Sequence, residues 1–585
     1  MTTHRLSHYI TSYRGRAVLG FVCVLGYITC NMVSPVVLGR FIDGLTDKTL
    51  ASRDMWLLLL FFLGIACLGL VVAIGMRRLL LGLSTRVEYD IRRDIFAHLS
   101  RMDYAFFQRE RTGDLMTRMS SDLGAVREMV GQGLLQGSRM LVGFPFAFAM
   151  MFYTNAQMTL TVLLLLPVVS LLFFVLIRLI RKYYDLSQDQ FSAITNFCQE
   201  TFSGIRTIKG FAMENRQRDR FRGMNEEYIR RNMTLTRIEE PVWPFMMFLY
   251  WVGAVILLLV GGRQIINGTL SLGAYIQVQQ YFLFLQWPIL ALGWTINIFQ
   301  RGRTSWARIQ SILETQPGIT DPEPAARVDK VLSGTLEYRD VSLRIADRTL
   351  LDQINLVVPE GQCLGITGPT GSGKTLLVSL MVRLMDPTTG TVTIGGTPVK
   401  SLSLESLRRQ IGIAPQEPFL FSDTLANNIA LGLDPVHDAL EKHEGRVVWA
   451  ADVARLSDDV LSFPSKFQTM LGERGVTLSG GQRQRTAIGR AIAKKPCILI
   501  LDDVFSAVDT QTEARILQGL LPVLKGRTSI LISHRISTLR HADRIIVMDD
   551  GKIVQDGTHE SLCTAPGYYH ELDEIQRLEA RLEES

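Results

Sequence analysis

The stretch Gln362–Thr375 reads QCLGITGPTGSGKT, an apolar strand running into a glycine loop that opens a helix at Lys374 and Thr375. Gly368, Gly371 and Gly373 leave the backbone free to close its N–H groups around phosphate oxygens, with Pro369, Thr370, Ser372 and Leu376 completing the loop and the first helical turn. Lys374 can reach the β and γ phosphates of a nucleoside triphosphate, and Thr375 can offer its hydroxyl to magnesium. A second apolar strand, CILILD, ends at Asp502, where a carboxylate can hold the same ion through water, and Asp503 follows directly. A third, SILIS, leads to His534, placed to contact a γ-phosphate at the strand's C-terminal edge. The chemistry open to this set is the binding and hydrolysis of ATP with Mg2+.

Between the first two strands lies VTLSGGQRQR, with Leu478, Ser479, Gly480, Gly481 and Gln482 at a helix start. Two glycines there offer bare N–H groups to an anion, and Ser479 adds a hydroxyl. Taken alone, SGG is a common turn. The elements that must carry these residues alternate strand-like apolar runs with amphipathic helical ones, the pattern of a parallel sheet covered by helices. This α/β region is expected over 334–566. A Pro-rich polar linker over 311–333, QPGITDPEPAARVDK at its centre, precedes it. A C-terminal helix over 567–585 follows, with Leu572, Ile575, Leu578 and Leu582 in helical spacing, expected to pack on its own domain or on a twin.

Residues 1–310 are of another kind. The chain of 585 residues is 47% hydrophobic yet 20% charged, and its mean hydropathy is +0.18, so two unlike parts are expected. Uncharged runs long enough to cross a bilayer as helices place six spans at about 17–39, 55–76, 134–153, 158–177, 241–262 and 273–299. The polar YTNAQ at Tyr153–Gln157 splits the third from the fourth. The loops Arg77–Arg139 and Arg178–Glu240 are long and rich in Arg and Lys, which puts both, and both termini, on the cytoplasmic side. They read as helical throughout, extending the spans into the cytoplasm. A net charge of +6 distributed this way speaks for membrane topology and against nucleic acid as a partner. The seven cysteines have no metal-ligand spacing. The basic N-terminus leads into an apolar run too long for a signal-peptide core, so the first helix is expected to stay attached.

The glycine loop, LSGGQ and CILILDD in this order resemble the ATPase domain of ABC transporters. The resemblance covers nearly the whole chain, because the six spans fit the exporter type: an all-α membrane domain fused to an α/β phosphate-loop ATPase. Phe106–Asp122 looks like its first intracellular loop and Gly204–Arg216 like its second. The resemblance extends to Mdl- or Smd-like bacterial half-transporters, which work as heterodimers. It implies that Gln416 contacts magnesium and senses γ-phosphate, that Ser506–Asp509 form the D-loop, and that GERG at Gly472–Gly475 touches the coupling segments. It also implies that each ATP lies between one chain's phosphate loop and the other chain's signature LSGGQ, so that a second half-transporter is needed. A heterodimer is favoured and a homodimer is possible.

Two departures stand out. Where the family carries a glutamate as general base, Asp503 is one methylene shorter, and a misplacement of about 1 Å can slow a reaction on the order of a hundredfold. The chain's own site is therefore expected to bind ATP and hydrolyse it slowly, while its intact signature completes a competent site on the partner. The adenine platform, an aromatic in the family, is Ile345, which covers the ring without stacking. In the spans, Gln277, Gln279, Gln280, Gln286 and Asn297 are expected to join neighbouring helices. No acidic residue marks ion coupling, and aromatics, Met and Leu suit hydrophobic or amphiphilic small molecules. Multidrug-type export across the cytoplasmic (inner) membrane is the expectation. A lipid flippase, a peptide exporter, an importer of metal-chelate type or an ATP-switched regulator are the alternatives.

Overall fold

The computed structural model of the chain describes residues 5–48, 51–322, 333–345, 348–433, 439–472, 475, 477–506 and 508–584. Residues 323–332 of the expected linker lie outside them, as do Glu473 and Arg474 of the GERG motif. The chain divides into two compact units, one of Met1–Leu99 with Gly113–Thr315, the other of Ser100–Thr112 with Gln316–Ser585.

The first unit is helical. Its elements are α1 (Leu6–Thr11), α2 (Arg14–Thr46) and α3 (Ser52–Leu99), then, beyond α4 (Tyr104–Arg109) of the other unit, α5 (Thr112–Thr117), α6 (Leu123–Glu128) and α7 (Leu134–Thr154). They are followed by α8 (Ala156–Ser203), α9 (Ile205–Gly210), α10 (Glu214–Glu239), α11 (Val242–Ile266) and α12 (Leu272–Glu314). Among the described residues, five helical stretches are long and apolar enough to cross a membrane: Arg14–Thr46, Ser52–Leu99, Thr112–Thr154, Glu214–Ile266 and Leu272–Glu314. The run 158–177 falls within α8, several of whose side chains lie outside the description.

At 48 residues each, α3 and α8 are about 70 Å long, more than twice a hydrocarbon core. The Arg- and Lys-rich stretches between spans are not helical throughout, however. π-helical turns at Arg118–Asp122 and Met129–Gly133 flank α6, and the chain breaks at Asp103 and Gly204 to form the short α4 and α9. Asn155 turns α7 into α8 by leaving the helical region and accepting a hydrogen bond from Met158 N–H.

Small residues and apolar side chains join the helices. A core of Val24, Ile28, Met32, Met76, Leu135, Ala147, Met151, Val278 and Tyr281 draws on α2, α3, α7 and α12, and Tyr281 Oη donates to Met32 O at 2.7 Å. Of the span amides, Gln286 reaches Met247 of α11, whereas Gln277 donates to Tyr281 on its own helix. Leu57, Leu60, Phe61, Leu63, Leu70 and Val71 of α3 are exposed, an outer face that only lipid or another protein can cover.

The second unit is built on two sheets. Its elements are β1 (Leu336–Ile345), β2 (Arg348–Val358), β3 (Cys363–Thr367), α13 (Lys374–Met381), β4 (Thr389–Ile394), β5 (Thr397–Pro398), α14 (Leu404–Arg409), β6 (Ile411–Ala414), α15 (Leu425–Ile429), α16 (Ala439–Val453) and α17 (Ser457–Ser462). Then come α18 (Gly480–Ala493), β7 (Ile498–Asp502), α19 (Thr510–Leu524), β8 (Thr528–Ile532), α20 (Ile536–Leu539), β9 (Arg544–Asp549), β10 (Lys552–Gly557), α21 (His559–Thr564) and α22 (Tyr568–Glu584). One sheet has the order β10-β9-β3-β8-β7-β6, parallel except for β10. Its strands are buried on both faces: Leu499, Leu501 and Leu531 enter one core, Ile498, Ile500 and Ile530 the other. This is why they read as continuous apolar runs.

The antiparallel sheet β2-β1-β4-β5 was not legible as such from the strand–helix alternation. The C-terminal row is only partly covered by this chain. Leu572 meets the core, while Ile575, Leu578 and Leu582 are exposed.

Candidate functional site

Because β3, β8 and β7 are adjacent and parallel, their C-terminal ends bring the glycine loop, His534 and Asp502 to one edge of the sheet, where open α/β sheets bind ligands. Gly368, Gly371 and Gly373 have φ of +141°, +88° and +99°. A Cβ at Gly368 would lie 1.9 Å from Met548 O, so the tight loop excludes a side chain there. Gly373 then caps α13, whose first residues are Lys374 and Thr375.

Lys374 is buried, its Nζ donating to the carbonyl oxygens of Gly368 and Pro369 at 2.8 Å and to Ser372 Oγ at 3.3 Å. Burial lowers its pKa, and the nearby carboxylates of Asp502 and Asp503 oppose the shift. An ammonium whose hydrogen-bond partners are all neutral oxygens fits an anion in the loop. Thr375 Oγ1 donates to Asp502 Oδ2 at 2.9 Å. Burial pushes the Asp502 carboxyl above the ordinary aspartate range; the Thr375 hydrogen bond and Lys374 pull it back, and Asp503 pushes the same way as burial. A desolvated carboxylate against a threonine hydroxyl fits a divalent cation. Among the described residues no group of three or more His, Cys, Asp or Glu forms a ready-made metal site, as expected where phosphates and water supply most ligands of Mg2+.

Asp503 sits in the left-handed region, φ +46°, which aspartate visits more readily than most residues. Its backbone N–H donates to Ile532 O at 2.9 Å, and its Oδ2 accepts from Gln416 Nε2 at 3.3 Å. His534 is held below the ordinary histidine range by burial and then by the Lys374 charge, with Asp503 pulling the other way. Thr370, Gly371, Gly373, Lys374, Thr375, Leu376, Gln416, Asp502, Asp503, Ile532 and His534 line one cavity of about 220 Å³. Ile345 is not among them; it ends β1, about half exposed.

The signature segment is elsewhere. Ser479 caps α18, accepting from Gln482 N–H at 3.2 Å, while Gln482 Oε1 accepts from Ser479 N–H at 2.9 Å. Gln482 Nε2 is anchored on Asp459 at 2.9 Å. Leu478 is buried, Ser479 is exposed and Gly480 and Gly481 are partly exposed. None of Leu478–Gln482 lines the Lys374 cavity.

One residue escaped the sequence reading. Gln484, buried on α18, donates to Ser506 Oγ at 3.1 Å and reaches Gln416 O at 3.5 Å. It ties the signature helix to the segments bearing Gln416 and Asp503. A polar residue two positions past Gln482 on the inner side of the helix was the available signal.

Comparison with known proteins bears on the whole chain. Residues 17–289 match the ABC transporter transmembrane region and residues 351–506 match the family described as ABC transporter. The chain is 35% identical to the "Multidrug resistance-like ATP-binding protein MdlA" of Escherichia coli, over 97% of this chain and 96% of the other. It is 33% identical to the "Probable multidrug resistance ABC transporter ATP-binding/permease protein YheI" of Bacillus subtilis, over 98% and 97%. It is also 33% identical to an "ATP-dependent lipid A-core flippase" of Syntrophus aciditrophicus, over 85% and 82%.

Proposed function

We propose, from the premise that this chain belongs to the ABC transporters as an exporter-type half-transporter with membrane region and ATPase on one polypeptide, that it is the slow-site half of a heterodimer exporting hydrophobic or amphiphilic small molecules. ABC transporters act as dimers, and one observation carries the asymmetric reading: the cavity that holds Lys374 lacks the signature residues and carries Asp503 at the place of the base, while the LSGGQ helix is intact and partly exposed.

In this reading the amides of Gly371–Thr375 and the Lys374 ammonium hold the phosphates, and Thr375, Asp502 and Gln416 hold magnesium, which when bound neutralises charge on the phosphate oxygens. Asp503 stands as the base and orients with Gln416, but its carboxylate ends one methylene short of a glutamate's reach. Neutral His534 meets the γ-phosphate edge. Ser479 and the first amides of α18 face the partner's nucleotide, completing a competent site there. Closure of the paired ATPase domains is passed to the spans through α4, which groups with the nucleotide unit, and α9, which buries no residue in this chain and is left for the partner. The termini lie in the cytoplasm and the spans in the inner membrane.

The names of the MdlA and YheI relatives support multidrug-type substrates; that of the lipid A-core flippase supports a second reading, lipid movement on the same scaffold. The test is MgATP turnover by the chain alone in lipid, beside its Asp503→Glu variant and beside the chain co-expressed with a glutamate-bearing second half. Slow turnover alone, a rise of roughly tenfold or more in the variant and brisk turnover in the pair are expected, with stimulation by hydrophobic drugs. Brisk turnover by the unmodified chain alone overturns the slow site. Stimulation by lipids and not by drugs selects the flippase.

A further inference from the structure

His534 lies past the last hydrogen bond that ties β8 to β3, from Ser533 N–H to Ile366 O at 3.1 Å. The turn that begins at it is held by two helices instead. From α19, Glu513, 1% exposed, accepts from Thr538 Oγ1 at 2.5 Å and Ser537 Oγ at 2.7 Å and pairs with Arg535. From α22, the side-chain amide of Gln576 spans the turn. Its Nε2 donates to His534 O at 2.7 Å, and its Oε1 accepts from Ile536 N–H at 2.9 Å. Only a group that both donates and accepts can make this bracket, and the amide does so from two separate atoms held in one plane.

The helix that carries Gln576 is itself fixed. Tyr569 is fully buried with its hydroxyl 2.9 Å from His559 Nδ1, Asp573 is buried and paired with Arg577 at 2.8 Å, and Leu572 packs on the core. A rigid helix therefore sets the carbonyl of the residue whose ring lines the Lys374 cavity. The loop amides, Lys374, Thr375 and Asp502 hold a ligand without any help from α22, so the bracket bears on the placement of one imidazole and not on binding.

We propose that Gln576 is a positioning residue for His534, through which the C-terminal helix sets the imidazole's approach to the γ-phosphate. The proposal rests on the reading that this cavity hydrolyses ATP. A side chain displaced by about 1 Å at a reacting centre can lose up to a hundredfold in rate, and removal of both bracket bonds leaves the His534 carbonyl and the Ile536 amide without their partner on α22.

The experiment uses the full chain in lipid nanodiscs carrying Asp503→Glu, so that its own site turns over measurably, with hydrogen–deuterium exchange read at Ile536. Gln576→Leu is expected to speed exchange at Ile536, to lower kcat roughly tenfold or more and to leave KM within about twofold. Gln576→Glu should resemble it at about pH 8, where a carboxylate accepts but cannot donate. In a His534→Ala background, Gln576→Leu should add no further loss. Unchanged kcat despite faster exchange at Ile536, or a loss of equal size without His534, overturns the proposal. A chain with Gln576 intact that turns over no ATP, while exchange at Ile536 still depends on residue 576, places the failure in the ATPase reading and leaves the bracket standing.

Discussion

The nucleotide unit carries two anion-binding devices that are finished to different degrees. The loop between β3 and α13 gathers its own complement within one chain: amides freed by three positive-φ glycines, a desolvated ammonium, a threonine hydroxyl on a buried carboxylate, and a neutral imidazole. The start of α18 is equally well built as a helix end, with its capping box closed and Gln482 anchored on Asp459, yet no cation or carboxylate of the Lys374 cavity is shared with it. The start of α18 contributes no residue to the Lys374 cavity; in the proposed reading its ligand is brought by another molecule. Of the two departures that the resemblance implies, Asp503 lines this cavity and Ile345 does not, and neither falls in Leu478–Gln482.

The largest effect should come from emptying the first device. Lys374→Ala removes the ammonium held at 2.8 Å from Gly368 O and Pro369 O, and a charge-assisted contact to phosphate is worth about 3 kcal/mol in a desolvated site. ATP affinity at the chain's own loop should fall roughly a hundredfold, read by photolabelling with an azido-nucleotide, while the partner's site in the assembled pair keeps its label. Equal loss at both sites would erase the distinction between the two devices.

A smaller effect should follow from spoiling the second. Gly481→Asp places a carboxylate among the first amides of α18, where it satisfies the N–H groups and repels phosphate. Turnover by the pair should drop about tenfold or more, with ATP affinity at the Lys374 loop within about twofold. A matching fall in that affinity would mean that α18 serves its own chain's cavity.

Much of this division was legible in residues, because the chemistry of phosphate binding is written in local runs. The glycine loop, Asp502 and His534 each follow an apolar strand, and a buried parallel sheet then fixes that they meet. The short bend between α7 and α8 was legible in the polar YTNAQ, whose Asn155 caps the next helix. What could not be read depends on contacts distant in the chain. The antiparallel β1, β2 and β4 share no periodic signature with the parallel strands. Of the π-helical turns beside α6, Arg118–Asp122 contains neither Pro nor Gly, while Met129–Gly133 carries Gly131 and Gly133, residues that mark no particular helix type. Ile575, Leu578 and Leu582 have the spacing of a packed face, yet they are exposed in this chain while Tyr568, Tyr569 and Leu572 of α22 meet the core. Gln484 and Gln576 are single amides whose partners lie many residues away, and spacing carries no trace of such pairs.

The smallest predicted effect concerns charge within the first device. Burial and the Lys374 ammonium depress the His534 pKa from its usual 6.5, and Asp503 only partly offsets them. The folded chain therefore prefers neutral imidazole. Its contribution to stability is present above pH 6.5 and is lost as pH falls through the depressed folded value, because the unfolded chain takes up the proton first. In the free protein the acid limb of kcat/KM should accordingly lie below the ordinary histidine range. Bound γ-phosphate brings negative charge to the ring and favours the imidazolium, so the acid limb of kcat should lie at higher pH than that of kcat/KM. His534→Gln should remove this separation, with a loss in turnover of about tenfold. The same substitution at His541, which burial also depresses but which does not line the cavity, should leave both limbs in place. A separation that survives His534→Gln would assign the titration to another group and remove the imidazole from the account of these limbs.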